Sequence, residues 1–327
     1  MTAGQISTQR SAVSTTDKIF RGTVRGGGVT VLVIMMLIGG FLLLRAFTAL
    51  RADGWSFVVT QAWEPDSHHF GIAAVLLGSI FVAMVAIVVA LPLAVGTALY
   101  ITEYAPRALK PWLVSAVDLM AAVPSVVYGI WGAFFLQWEV IHVSRWITTY
   151  FGWIPIFKVT SYDPDDPLAT PTIFTASTFI AGLVVALMVT PIACSVMREA
   201  FSQAPAGERE GAYALGSTRW GMVRAVVLPF GKGAIIGGTM LGLGRALGET
   251  IAVVLIISPV FVIQPHILEQ GTSSVSSLIA LHYGDSSAFG ISALMAAGLA
   301  LFLLTLIVNF VASTIVARSR SGAVSDA

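Results

Sequence analysis

Apolar residues run along this chain in six long blocks separated by short polar stretches, rather than alternating or recurring every third or fourth position. The blocks cover Val29–Leu50, Ile72–Ile101, Trp112–Leu136, Ile173–Met197, Gly233–Ile263 and Ala288–Val316. Roughly 20 apolar residues in a helix cross the hydrocarbon core of a bilayer, so the pattern predicts an all-α, polytopic membrane protein with six transmembrane helices. The second and fifth blocks exceed that length, which predicts tilt or helical extension beyond the bilayer. Residues 1–28 are rich in Ser, Thr, Gln and Arg and lack a hydrophobic period, so a flexible N-terminal tail is expected. The transmembrane domain then occupies 29–316 and a second short tail 317–327. Basic residues before an apolar run also fit a signal peptide. The first block has full span length and no small-x-small cleavage site follows it, so it is expected to remain in place.

Composition agrees with the pattern. Of 327 residues, 56% are hydrophobic and 11% charged, with a mean hydropathy of +0.86. Soluble domains carry about 25% charged residues, so too little polar surface exists to coat a water-facing globule. A soluble enzyme, a disulfide scaffold and a disordered chain are thereby excluded. The net charge of +1 gives no reason to expect nucleic acid. Cys194 is the single cysteine, which rules out an intrachain disulfide.

The charges also predict sidedness. Arg10, Lys18, Arg21 and Arg25 precede the first block, and Arg107 and Lys110 follow the second. Arg198, Arg209, Arg219, Arg224 and Lys232 follow the fourth, and Arg318 and Arg320 follow the sixth; together these are 13 of the 18 basic residues. The other side holds Arg51, Arg145 and Lys158, with Arg45 able to snorkel toward it. By the positive-inside rule, the rich side and both termini are cytoplasmic. All five histidines then fall outside, as do nine carboxylates including Asp53, Glu64, Glu139, Asp163, Glu269 and Asp285. An acidic outer face does not steer a free anion inward, so an anionic cargo is better delivered by a docked partner. The outer segment 137–171, with Trp138, Trp146, Tyr150, Phe151 and Trp153, reads either as an interfacial helix or as the docking surface for that partner.

Between the fourth and fifth blocks lies a polar stretch, 198–232, with strong local punctuation. Gly216 suits the left-handed residue that closes a helix, Ser217 suits the cap of the next one, and Pro229 cannot continue a helix without losing a hydrogen bond. The residues Glu210-Gly211-Ala212, then Gly216, Val226 and Leu228-Pro229, resemble the EAA loop of ATP-binding-cassette importer permeases, departing from it at Gly211 and Val226. The resemblance implies a type I ABC importer permease architecture and a short coupling helix that seats in a groove of a cytoplasmic ATPase. No Gly-x-x-x-x-Gly-Lys-Ser/Thr loop is present, and Gly231-Lys232-Gly233 does not fit one, so energy must come from another subunit.

The fifth block carries Gly242-Leu-Gly-Arg245-Ala-Leu-Gly-Glu249-Thr250. Arg245 and Glu249 are four residues apart, so they are expected to project from one helix face. An arginine near mid-span costs about 2.5–3.5 kcal/mol on insertion scales, so such residues face a cavity or a partner. The glycines at 238, 242, 244 and 248 permit close approach of another helix. Two readings stand. Arg245 is an anion ligand, its planar donors matching phosphate oxygens, with Glu249 accepting a hydrogen bond only from an oxyanion that keeps a proton. Alternatively the two form an internal ion pair that locks the helix. The second glycine-rich reading, a dinucleotide fingerprint, fails on spacing and on the lack of a strand.

This stretch, together with Pro124-Ser-Val-Val-Tyr-Gly129 and Glu103-Tyr-Ala-Pro106, resembles the PstC-type permeases of the Pst phosphate importers over nearly all of 70–316. The resemblance implies a multi-pass subunit of a prokaryotic cytoplasmic membrane that carries inorganic phosphate. It further implies a PstA-type permease partner, a PstB-type ATPase dimer holding ATP and magnesium, and a PstS-type phosphate-binding protein. This chain itself is expected to hold no cofactor or metal and no catalytic residue. Arg245 and Glu249 match the family's translocation residues, and Ser125 and Tyr128 are further hydroxyl candidates beside Pro124, either for substrate or for carbonyls freed at the proline. Glu210, Gly211, Ala212, Gly216, Leu228 and Pro229 form the expected coupling set. Asp118 either pairs with a basic residue or lines the pathway. Asp66, His68 and His69 lack the spacing of a metal set. Rival functions are a permease for sulfate or molybdate, and a secondary transporter or channel with an accidental loop likeness; a membrane enzyme lacks its nucleophile–base pair.

Overall fold

The computed structural model describes residues 15–160, 162 and 170–320, and they are overwhelmingly helical. Helix α1 spans Thr15–Asp53 and is followed by the single turn α2, Ser56–Val59. A minimal hairpin, β1 Trp63–Glu64 and β2 His69–Phe70, sets Trp63 opposite Phe70. Helix α3, Ala73–Leu99, extends through a π-helical turn at Tyr100–Tyr104. Next come α4, Lys110–Ala122, and α5, Ser125–Trp131, which runs through a second π turn, Gly132–Leu136, into α6, Gln137–Phe151. Helix α7 is Thr178–Ser202, α8 Ala206–Ala214 and α9 Arg219–Met222. A third π turn, Val223–Val227, joins α9 to α10, Leu228–Gly248. The short α11, Ile251–Ile256, then α12, Val275–His282, and α13, Ala288–Arg320, complete the chain.

Six helical rods among the described residues are long and apolar enough to cross a membrane: Ile19–Asp53, Ala73–Tyr104, Ser125–Phe151, Thr178–Ser202, Arg219–Gly248 and Ala288–Val311. The number agrees with the sequence expectation, but two spans are displaced at both ends. The third span was expected at 112–136. The chain instead breaks at Val123 (ψ 128°) and Pro124 (φ −60°), because proline forces the preceding residue out of helical geometry and lacks an N–H. The spanning rod begins at Ser125 and takes in α6, including Trp138, Trp146 and Tyr150 of the segment expected to lie outside. The fifth rod starts earlier than expected, at Arg219, and stops at Gly248 rather than continuing to 263. The N-terminal tail differs too: residues 15–28 are already part of α1, while 1–14 lie outside the described residues, as do 321–327 of the expected C-terminal tail.

Helix α7 is the central rod, packed by α3, α10 and α4, while α1 lies against α13. Lipid offers no hydrophobic drive between helices, so association depends on close van der Waals fit through small residues. Helix α3 buries Ala83, Ala86, Ala90, Ala94 and Ala98 along one stripe. On α7, a side chain at Gly182 would meet Val85 of α3 at 2.5 Å. On α10, a Cβ at Gly242 would lie 2.5 Å from Val189 of α7, and one at Gly238 would lie 3.1 Å from the Ala193 carbonyl. Gly244 and Gly248 meet no close neighbour, so only two of the four glycines singled out serve helix approach. Between α1 and α13, Ser292 Oγ donates to the Arg45 carbonyl at 2.8 Å and accepts from the Ala49 N–H at 3.2 Å. Cys194 is buried in the α7 core.

Gly242→Val should therefore overpack the α7–α10 contact and cost about 1–3 kcal/mol. Gly96→Ala, where nothing lies within 4 Å, should be neutral or gain up to about 1 kcal/mol. Thermal unfolding of the two purified variants in detergent tests the contrast; equal midpoints would contradict it.

Candidate functional site: a two-helix loop and an interrupted span

The loop between α7 and α10 folds as its punctuation indicates, with one shift. Gly216 has φ +82°, and its N–H and that of Ser217 donate to the Tyr213 and Ala212 carbonyls at 2.9 and 3.1 Å, closing α8 in a Schellman turn. The cap of α9 is Thr218 rather than Ser217: its Oγ1 accepts from the Gly221 N–H at 3.1 Å. Adjacent hydroxyls offered the same chemistry, and the helix starts one residue later. Pro229 does not end a helix but sits in the first turn of α10, after the π turn has widened the backbone where an N–H is missing.

The two-helix loop and the π turn that follows it have two unlike faces. Glu210 and Gly211 are exposed, with Ala212 half-buried. Tyr213, Leu215 and Trp220 are also exposed, Leu215 at 90%. On the inner face, Met222, Val223 and Val227 are buried with Phe201, Met197 and Val117. Arg209 turns inward as well. Its Nη1 lies 3.1 Å from Glu103 Oε1, and Nη2 donates to the Phe201 carbonyl at the end of α7. The Glu103 side chain is 5% exposed. Arg219 stacks over the Tyr104 ring at 5.4 Å. The π turn that ends α3 is thus gripped twice by the loop. The sequence reading used Glu103 only as part of a motif and gave Arg209 and Arg219 no role beyond sidedness. The charges were visible, but a contact between residues 106 positions apart was not.

The fifth span is interrupted at the position of its ionisable pair. Helix α10 ends at Gly248, Glu249 takes an extended ψ of 128°, and α11 restarts at Ile251. The two residues consequently do not share a helix face. Glu249 is 9% exposed, and its Oε1 accepts from the Ala252 N–H at 3.4 Å, satisfying the first turn of α11. Arg245 is exposed and opens onto a groove of about 770 Å3 lined by Ile192 of α7, Met240 and Gly244 of α10, and Thr305 and Asn309 of α13. Among the described residues, no ion pair within 4.0 Å involves either side chain. The internal lock is therefore not formed in this conformation, and a guanidinium without a carboxylate faces the groove. Such a group can accept a bidentate oxyanion.

Ser125 and Tyr128 stand beside the other interruption. Ser125 opens α5 directly after Pro124. The Tyr128 hydroxyl donates to the Met120 carbonyl at 3.1 Å, across the break and onto the end of α4. Helix α5 packs against α11, where a Cβ at Gly129 would lie 2.8 Å from Ala252 Cα. The two interruptions thus share one helical contact. Asp118 has its predicted basic neighbour, Arg198, at 4.0 Å. Asp66 accepts from Ser287 Oγ, and the His68 ring meets Phe289 edge-on at 4.6 Å. Asp163, Asp165 and Asp166 of the acidic outer face lie outside the described residues.

Six helices long and apolar enough to span a membrane, and a two-helix loop that exposes Tyr213, Leu215 and Trp220, fit the membrane-embedded permease of a multi-subunit transporter. The family model described as "Binding-protein-dependent transport system inner membrane component" matches residues 90–321. The phosphate transport system permease protein PstC of Pasteurella multocida is 35% identical over 315 residues, covering 96% of each chain. PstC 2 of Mycobacterium tuberculosis is 36% identical over 310 residues, covering 94% of this chain and 93% of its own. The probable PstC of Methanocaldococcus jannaschii is 35% identical over 288 residues, 86% and 87% of the two chains. The chain belongs to the PstC family of transport-system permeases. In fold it is similar to a solved bacterial ABC transporter involved in import of the acidic polysaccharide alginate, with a TM-score of 0.54, 14% identity, and coverage of 92% and 99%.

Breaking the Arg209–Glu103 pair from either side should be costly, because each variant strands a buried group. Glu103→Gln or Arg209→Gln should destabilise by about 3 kcal/mol, the low end for a buried pair since Arg209 keeps some exposure. The exchange variant Glu103→Arg with Arg209→Glu should recover part of that loss. Unfolding midpoints of the wild type, the two glutamine variants and their Glu103→Gln/Arg209→Gln combination, analysed as a double-mutant cycle, check the coupling, with the exchange variant measured beside them.

Proposed function

We propose that this protein is one of two permease subunits of a binding-protein-dependent, ATP-driven importer of inorganic phosphate. The observation that carries the substrate is the uncompensated Arg245 guanidinium in its groove, with the Glu249 carboxylate one break away. Phosphate near neutral pH retains at least one proton. A carboxylate beside the pathway accepts a hydrogen bond from that proton and repels a fully ionised oxyanion such as sulfate. The phosphate transport systems of the relatives agree with this chemistry.

A PstA-type permease supplies the other wall of the pathway. A PstB-type ATPase dimer carries ATP and magnesium and docks on the exposed face of α8, around Glu210, Gly211, Ala212, Gly216 and Leu215, with Leu228 and Pro229 carrying motion into α10. A PstS-type binding protein delivers phosphate to the acidic outer side, where direct electrostatic capture of an anion is unfavourable. Ser125 and Tyr128 lie along the same pathway at the other interruption. The protein sits in a prokaryotic cytoplasmic membrane with both termini in the cytoplasm, as its basic-residue bias requires.

The test is ATP-dependent uptake of labelled phosphate by proteoliposomes holding the assembled complex. Excess arsenate should block uptake and excess sulfate should not; block by sulfate would reassign the substrate to another oxyanion. Arg245→Ala should abolish uptake in a complex that still assembles. Leu215→Asp should keep the permease folded but reduce ATP-driven uptake at least tenfold by excluding the ATPase. Uptake that is indifferent to ATP would sink the coupling reading and leave a secondary transporter.

A further inference from the structure

The stretch before α12, Gly271-Thr-Ser-Ser-Val-Ser-Ser277, leads into that helix through hydroxyl-bearing residues that are all buried: Thr272, Ser273, Ser274, Ser276 and Ser277. Most of these hydroxyls have local work. Ser274 and Ser277 form a reciprocal capping box at the start of α12. Ser79 of α3 accepts from the Val275 N–H at 2.9 Å. The Ser276 Oγ lies 3.2 Å from the N-cap hydroxyl of Ser274 and donates out of the helix, to the backbone carbonyl of Glu249 at 2.7 Å.

That carbonyl has a particular origin. In an unbroken helix it would accept from the Val253 N–H, but the extended ψ of Glu249 turns it away. Among the described residues, Ser276 is the donor that reaches it. A buried carbonyl without a partner is strongly disfavoured. The hydroxyl therefore compensates the interruption at Glu249 directly.

We propose that Ser276 is a positioning residue for the Arg245–Glu249 site: it holds the interruption open and so keeps Glu249 off Arg245. With the break held, the Glu249 carboxylate stays on the Ala252 amide and Arg245 faces its groove unpaired. Without the hydroxyl, the orphaned carbonyl regains a partner by winding residues 249–253 into helix. Glu249 then arrives on the face of Arg245, four residues away, and pairs with it. A salt bridge there occupies the cation that an incoming oxyanion needs. The consequence for transport rests on the reading of Arg245 as the anion ligand, whereas the effect on Arg245 itself does not.

Arginine labelling separates the two. The assembled complex in proteoliposomes is treated with phenylglyoxal, and modification of Arg245 is followed by peptide mass spectrometry alongside phosphate uptake. Ser276→Ala should slow Arg245 labelling roughly fivefold, the size expected of a modest ion pair, and lower uptake. Ser276→Thr, which keeps the hydroxyl, should restore both. Adding Glu249→Gln to Ser276→Ala should restore labelling, since the amide cannot pair with Arg245; a merely structural loss would not be reversed by that change. Unchanged labelling in Ser276→Ala, or slowed labelling that persists with Glu249→Gln, overturns the positioning role. Slowed and rescued labelling with normal uptake throughout would uphold that role and overturn Arg245 as the ligand.

Discussion

Inside a bilayer, a backbone N–H or C=O cannot turn to water, so any interruption of a spanning helix must be satisfied from within the protein. Two interruptions here meet that condition with side-chain groups. At Val123–Pro124, the Tyr128 hydroxyl bridges back to the Met120 carbonyl. At Glu249, Ser276 satisfies the carbonyl and the glutamate's own carboxylate satisfies the amide of Ala252. The short helices that follow the two breaks, α5 and α11, then pack on each other through Gly129. Neither break is isolated: a shift at one moves the helix that buttresses the other. Interrupted helices near the middle of a membrane protein are a recurrent way to place polar groups on a transport route.

The same rod that carries Arg245 reaches the far end of the protein. From Arg219 to Gly248 the backbone is one continuous helix, α9 and α10 joined through the π turn at Val223–Val227. Helix α8, bearing the exposed Leu215, packs on α9. Force applied at α8 therefore enters a continuous helix whose far end carries the groove-lining arginine, Arg245. Its softest point is the π turn, next to Pro229. The Arg209–Glu103 pair and the Arg219–Tyr104 stacking tie the loop to α3 as well. A second route thus runs along the helix whose alanine stripe packs on α7. Motion of the loop is geared to two of the central helices instead of one.

Much of this was legible from the sequence because hydropathy and local punctuation are short-range signals. The number of spans followed from apolar blocks, and Gly216 closed α8 as its conformational freedom allows. Boundaries failed where a long-range contact decides the outcome. The third span was misplaced because Glu139, His142 and Arg145 make residues 137–151 look polar, although their helix continues from α5. Arg245 and Glu249 were legible as a pair of ionisable residues inside an apolar block, but not their separation. That separation depends on Ser276, whose hydroxyl is indistinguishable in sequence from those of Ser274 and Ser277. Likewise, Arg209 sits between Glu208 and Glu210, and nothing local says that it ignores both for Glu103.

The groove at Arg245 also bears on assembly with a second subunit. Its walls come from α7, α10 and α13, and the guanidinium is exposed on that side. A charged side chain turned toward hydrocarbon costs about 2.5–3.5 kcal/mol on insertion scales, more without snorkelling. No carboxylate within ion-pair distance offsets that cost among the described residues. Filling the cation with Glu249 would remove the penalty, yet the interruption holds that carboxylate elsewhere. The remaining relief is a second polar wall from another subunit, enclosing water or an anion against Arg245. The interruption that keeps Glu249 off Arg245 thus leaves the guanidinium open to a partner that encloses it.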